Sequence, residues 1–214
     1  MPTTKTDNSF LADKVALRLA HLPDQKTVRV LDCFAGRGTI WAAVRKLAPE
    51  RDIRVLPIEI QPEEDTLFSL PGDNSRFLET LDLNRFDVID LDAYGIPYDQ
   101  LKIIFKRGFR GVVYVTFIQA VFGIMPNGLL RELGFPPVMV KLSPSLFTKK
   151  GFEYFLSYLA MQGVTRVWIR QNQGKHYLGF MTTAEGNAGG WFSGAGAPAG
   201  DSGTPPEDKA KDRV

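Results

Sequence analysis

Apolar positions along this chain alternate between helical spacing and short unbroken runs. Leu11, Val15, Leu19 and Leu22 recur at helix period behind Asn8 or Ser9 as a capping residue, and Pro23-Asp24 ends the pattern. Val28, Val30 and Leu31 form the kind of run that a buried parallel strand carries. A helix follows from Thr39 to about Leu47, then a second strand over 53–58, a short helix opening at Pro62, a third strand over 67–70 and a short helix over 75–81. Residues 86–91 make a fourth strand, 99–105 a helix and 112–116 a fifth strand. Strand and helix in alternation predict an α/β fold, a doubly wound and mostly parallel sheet with right-handed crossovers.

The rest of the chain is patterned differently. Residues 118–142 carry Gly123, Pro126, Gly128, Gly134, Pro136 and Pro137 and read either as a lid or as packed connection. Ser143-Pro144 opens a long helix reaching about Met161. Two strands, 165–170 and 176–181, flank Asn172-Gln173-Gly174-Lys175, which reads as a hairpin turn. From about Glu185, Gly, Ala, Pro and Ser dominate up to a charged run at 207–213, and such a segment buries too little apolar surface to offset its ordering entropy. Trp191-Phe192 is the exception there, either a docking element or part of a passive tail. The expected organisation is an arm and helix over 1–27, one domain over 28–183 and a disordered tail over 184–214.

Composition narrows the picture modestly. The 214 residues suit one domain, and 44% hydrophobic with 23% charged residues is ordinary for a soluble globular protein. A net charge of +2 neither demands nor excludes a polyanionic partner. No apolar run approaches the ~20 residues of a membrane span, and the N-terminus, with Asp7 and Asp13, has no apolar signal region. The sequence has one cysteine, Cys33, so no intrachain disulfide forms and a cytoplasmic setting is expected. His21 and His176 are too scattered to suggest a metal site, and neither has a recognisable nucleophile partner. A Pro-Cys loop for cysteine attack on a pyrimidine is missing too.

The chemistry-bearing stretch starts where the first strand ends. Asp32 is followed by Gly36-Arg37-Gly38 and then by a helix, and glycines there let backbone approach a ligand where a Cβ would clash. A dinucleotide fingerprint fails at its third glycine, where Trp41 stands. The residues alone leave a cofactor loop, another nucleotide loop or a plain strand–helix turn open. The pattern D-x-F-x-G-x-G resembles the first motif of the S-adenosylmethionine-dependent methyltransferases of Rossmann-like fold, in which a terminal antiparallel hairpin after five parallel strands is typical. That resemblance implies a cofactor site formed by Asp32, Phe34, Gly36 and Gly38. Glu59 ends the second strand about 20 residues beyond the glycine turn, the spacing at which a carboxylate accepts from ribose hydroxyls, although a surface glutamate also fits. Asp73, in Gly72-Asp73-Asn74, either accepts from the adenine amine or caps a helix.

Asp92-Ala93-Tyr94-Gly95-Ile96-Pro97 leaves the fourth strand at its carboxyl end, the rim where open α/β sheets hold ligands. It is similar to the D-P-F-G-S-P motif of the tRNA guanine-N2 methyltransferase family at Asp92, Tyr94, Gly95 and Pro97, and Val115-Thr116 resembles that family's valine–threonine segment. Ala93 and Ile96 depart from the motif, and the resemblance covers about residues 28–118. It implies methyl transfer from S-adenosylmethionine to an exocyclic amine of a nucleobase, guanine N2 in tRNA or other RNA by preference. Asp92 and the Ala93 carbonyl would accept from the amine, Tyr94 would stack on the base, and Pro97 would lie in the substrate site. Read alone, Asp92 is also a plausible turn aspartate. Asp90 faces the same side and would support it. No metal is required, because the cofactor brings an activated methyl group.

Arg166, Trp168 and Arg170 share a strand face that suits phosphates and stacked bases, or else protects an edge strand by charge. RNA is the expected partner ahead of DNA, with no membrane partner and no signal for an oligomeric state. An adenine-N6 DNA methyltransferase, a small-molecule methyltransferase and a non-catalytic cofactor-binding module are the other readings.

Overall fold

The computed structural model describes residues 10–60, 69–118 and 125–182. The first half holds α1 (Leu11–Ala20), β1 (Thr27–Asp32), α2 (Thr39–Leu47), β2 (Asp52–Glu59), β3 (Leu70–Pro71), α3 (Asn74–Thr80), a 3-10 turn (Leu83–Arg85), β4 (Val88–Leu91), α4 (Tyr98–Lys106) and β5 (Gly111–Ile118). The second holds α5 (Asn127–Glu132), α6 (Pro137–Leu142), α7 (Pro144–Lys149), α8 (Gly151–Met161), β6 (Val167–Asn172) and β7 (Lys175–Thr182). Among the described residues the strands form one seven-stranded sheet in the order β3-β2-β1-β4-β5-β7-β6. The first five pair in parallel, and β7 runs antiparallel to both β5 and β6. This is the doubly wound arrangement with a terminal hairpin expected from the sequence, and it is the strand order of the class I methyltransferase fold.

Alternation along the strands sorts the side chains onto two covered faces. Val28, Val30, Val88, Val112 and Tyr114 pack with Val15, Leu17, Trp41 and Val44 under α1 and α2. Leu31, Ile89, Leu91, Val113 and Val115 pack with Leu78, Leu101, Phe155 and Leu159 under α3, α4 and α8. Strand order reverses between β1 and β4, so their carboxyl ends diverge into the crevice where such sheets hold ligands.

Several elements differ from the sequence expectation. The long helix from Ser143 is two helices, because Lys150 leaves helical geometry (φ −112°, ψ 17°) just ahead of Gly151. Among the described residues the third strand is the pair Leu70–Pro71, where the proline has no N–H to continue a ladder, and residues 67–68 of the expected strand lie outside the described residues. The last two strands are displaced to Val167–Asn172 and Lys175–Thr182, joined at Gln173 (φ 45°) and Gly174 (φ 76°), the left-handed pair that a tight hairpin turn requires. Phe10 is the residue before α1. The proposed caps Asn8 and Ser9, the helix opening at Pro62, Gly123 and the tail with Trp191-Phe192 lie outside the described residues. No helix among the described residues is long and apolar enough to cross a membrane.

Candidate active site at the carboxyl rim of the sheet

The glycine turn is pinned to the sheet by backbone bonds. Cys33 N donates to Asp90 O (3.0 Å), Ala35 N to Ile58 O (3.1 Å) and Gly38 N to Ala35 O (2.7 Å). Gly36 (φ 49°) and Gly38 (φ 67°) are both left-handed, and a Cβ on Gly38 would meet nothing within 4 Å. Backbone conformation therefore selects glycine at 38, and the space above it is open. Glu59 spans the turn and the end of β2, with Oε2 accepting from Gly36 N and Oε1 from Ile60 N, both at 2.9 Å. Asp73 caps α3, its Oδ1 accepting from Ser75 N at 2.8 Å. The next residue ties that cap to the turn, since Asn74 Nδ2 donates to Cys33 O (3.0 Å) and Gln100 Nε2 donates to Asn74 Oδ1 (2.9 Å). Asp32, Gly36, Gly38, Glu59 and the start of α3 thus meet at one rim, with Phe34 N donating to Asp32 Oδ1 at 3.4 Å.

Behind this rim lies a buried charge cluster that sequence reasoning did not find. Arg18 grips Asp90 as a fork, Nε to Oδ2 at 2.7 Å and Nη2 to Oδ1 at 2.6 Å, with both side chains about 1% exposed. Trp41 Nε1 also donates to Asp90 Oδ2 (2.8 Å), so the indole that breaks the dinucleotide pattern is a buried hydrogen-bond donor. Tyr114 Oη donates to the carbonyls of Arg18 (3.2 Å) and His21 (2.9 Å) and locks the end of α1. Two residues on, Lys14 Nζ donates to Asp92 Oδ2 at 2.7 Å, and Thr116 Oγ1 donates to Asp92 Oδ1. The spacing explains the match. Four residues of helix advance about 6 Å and two residues of strand about 6.6 Å, so α1, running against β4, places Lys14 over Asp92 and Arg18 over Asp90.

Electrostatics in the cluster are lopsided. Three carboxyl groups, Asp32, Asp90 and Asp92, share two cations, Lys14 and Arg18. Burial raises the Asp32 carboxyl well above the ordinary aspartate range, Asp90 and Asp92 push it the same way, and Arg18 opposes them. Burial also raises Asp90, against the pull of Arg18. Burial alone would lower Arg18, but Asp90 outweighs it and holds the guanidinium charged.

At the end of β4 the motif residues part company. Tyr94 stands 73% exposed beside Asp92, whereas Ala93 and Pro97 are buried. Gly95 (φ 130°) turns the chain, and its carbonyl accepts from Ile118 N at 3.1 Å. Arg166, Trp168 and Arg170 do not join the site. β6 is three strands from β4, about 14 Å at the usual spacing. Trp168 is stacked under His21 (ring centroids 4.0 Å apart, 5° between planes) and packs with Tyr114 over Gly179, so α1 covers the face expected to be open. Arg170 faces Asp13 at 3.9 Å, and exposed Arg166 precedes β6 toward the opposite rim. A cavity of about 180 Å³ lined by Phe105, Phe109, Arg110 and Thr182 also lies at that opposite rim, away from the chemistry. No cluster of metal-ligating side chains occurs among the described residues.

The signal for the missed residues was present in α1. Lys14 and Arg18 fall on the same helical face as Leu11, Val15 and Leu22, where a cation must be buried or find a partner.

No protein-family model matches this chain, and no curated protein matches it. Solved structures similar to it include PigF with SAH (13% identity over 82% of this chain and 65% of that one, TM-score 0.44). An O-methyltransferase family protein from Burkholderia thailandensis matches at 14% identity over 83% and 60% (TM-score 0.44). A SAM dependent methyltransferase from Archaeoglobus fulgidus matches at 13% identity over 82% and 97% (TM-score 0.46). The chain spans less than two thirds of the length of the first two. At these identities and scores, the functional reading rests on the chain's own residues.

Proposed function

We propose that this chain is an S-adenosylmethionine-dependent methyltransferase acting on an exocyclic amine of a nucleobase, guanine N2 in tRNA or other RNA by preference. One observation carries the acceptor half of this reading: a carboxylate at the end of β4, held by two donors, is followed two residues on by a 73% exposed tyrosine. An exocyclic amine is a poor nucleophile because its lone pair is delocalised into the ring. Asp92 accepts its N–H and later the released proton, while Tyr94 stacks on the base and holds it. Correct placement of the amine supplies up to ~7–11 kcal/mol of the barrier reduction.

The cofactor half is supported by charge. Three carboxyl groups sharing two cations suit a ligand bearing a sulfonium and an ammonium, which would draw Asp32 into its ionised form, and they disfavour the pyrophosphate of a dinucleotide. Asp32 and the turn at Gly36 and Gly38 would hold the methionine end, Glu59 the ribose and Asp73 the adenine. S-adenosylmethionine bound there supplies an activated methyl group.

A second reading, a small-molecule amine as acceptor, is favoured by the stacking of Trp168 under His21, which occupies one side of the ring expected to receive a base. Methyl-labelled cofactor offered with tRNA, ribosomal RNA, duplex DNA and metabolite extract separates these readings. Label in RNA that is lost with Asp92→Ala supports the proposal. Label confined to the metabolite pool replaces it with the second reading. Cofactor binding without any transfer identifies a binding module.

A further inference from the structure

The two ion pairs between α1 and β4 differ in what they leave available. Arg18 and Trp41 enclose Asp90 in the interior. That pair already fixes α1 to the sheet, so a second buried cation is not needed for attachment. Lys14 nevertheless has a side chain 12% exposed, with its ammonium on an 11% exposed carboxylate and 5.6 Å from the centre of the Tyr177 ring. From the Lys14–Asp92–Thr116 arrangement we infer that Lys14 is a positioning residue for the acceptor, setting the orientation in which Asp92 receives the amine. This inference rests on the amine-methyltransferase reading.

Lys14 reaches Oδ2 from α1, and Thr116 reaches Oδ1 from the buried end of β5. One donor on each oxygen, from opposite neighbours, prevents the carboxylate from turning about its Cβ–Cγ bond. A carboxylate has about four acceptor sites, and among the described residues Lys14 and Thr116 occupy one on each oxygen. The remaining sites therefore hold fixed directions. Orientation acts where reacting groups must align, and a small misplacement there lowers a rate by up to ~10²-fold. The clamp should therefore matter for transfer and not for cofactor affinity.

The test uses the full chain and the acceptor pool that wild type labels. Lys14→Met should lower kcat by roughly 10–100-fold, with acceptor KM and S-adenosylhomocysteine affinity within about twofold of wild type. Lys14→Arg should recover most of the loss, and Lys14→Met should add little in an Asp92→Asn background, as expected of residues acting as one unit. Unchanged transfer in Lys14→Met overturns the inference, and so does a loss of S-adenosylhomocysteine affinity in step with transfer. If Lys14→Met does not fold, Lys14→Gln and Thr116→Val replace it, each with the same expected loss in kcat alone. A wild-type protein that binds S-adenosylhomocysteine but labels no acceptor overturns the reading beneath and the inference with it. An active wild type with an equally active Lys14→Met overturns the inference alone.

Discussion

Asp90 and Asp92 sit two residues apart on one strand face and meet cations one helical turn apart, yet the two pairs are built for different work. Asp90 takes the Arg18 fork and the Trp41 indole in a setting about 1% exposed. Asp92 takes Lys14 and Thr116 at 11–12% exposure beside Tyr94. Depth below the rim separates a carboxylate enclosed on its own chain from one that can still accept from a ligand. The comparison teaches that ion pairing alone does not distinguish the two carboxylates, and that burial does.

Breaking the inner pair should give the largest effect. Arg18→Met leaves a buried carboxylate without its guanidinium and should cost about 3–5 kcal/mol of stability, read from urea unfolding, while Arg18→Met with Asp90→Leu should regain much of it. Breaking the outer pair should act on transfer instead. Asp92→Ala should lower methyl transfer by at least ~10²-fold, with S-adenosylhomocysteine binding preserved in calorimetry. Trp41→Phe removes one donor from a charged acceptor and should cost about 1.5–3 kcal/mol, with transfer intact once the protein is folded.

The smallest effect concerns pH. The Asp32 carboxyl is raised in the folded protein, and the proposed cationic cofactor would favour its ionised form. Cofactor affinity should therefore fall as pH drops through that raised value, by under about tenfold per pH unit for one proton, and level off above it. Stability should move the other way. The contribution from neutral Asp32 is complete below the unfolded aspartate value and is lost as pH rises through the folded one. Asp32→Asn should flatten both profiles, read by calorimetry in buffers of differing ionisation enthalpy.

The sheet was legible wherever one face had to be buried. Val28, Val30 and Leu31 announce β1, and the glycine turn and Glu59 mark the carboxyl rim. The Asp92–Tyr94 segment and Thr116 were legible as motifs, but the support from Lys14 was not. Lys14 lies 78 residues from Asp92 in sequence, and no local pattern encodes a pairing set by how a helix crosses a strand. The surroundings of Trp168 were illegible for the same reason, because the His21 ring stacked on it arrives from the other end of the chain. Lys150 ends a helix although the apolar spacing runs through it, since periodicity reports a buried face and not backbone continuity.

Cys33 gives the glycine turn a chemical clock. Its thiol is 1% exposed and raised by burial, while its N–H binds the Asp90 carbonyl and its carbonyl binds Asn74. A thiol reagent can reach the sulfur only after those bonds part and the turn lifts from the sheet. The labelling rate of this one cysteine therefore counts excursions of the loop in the unmodified protein, and a ligand that seats on the turn should slow it in proportion to occupancy.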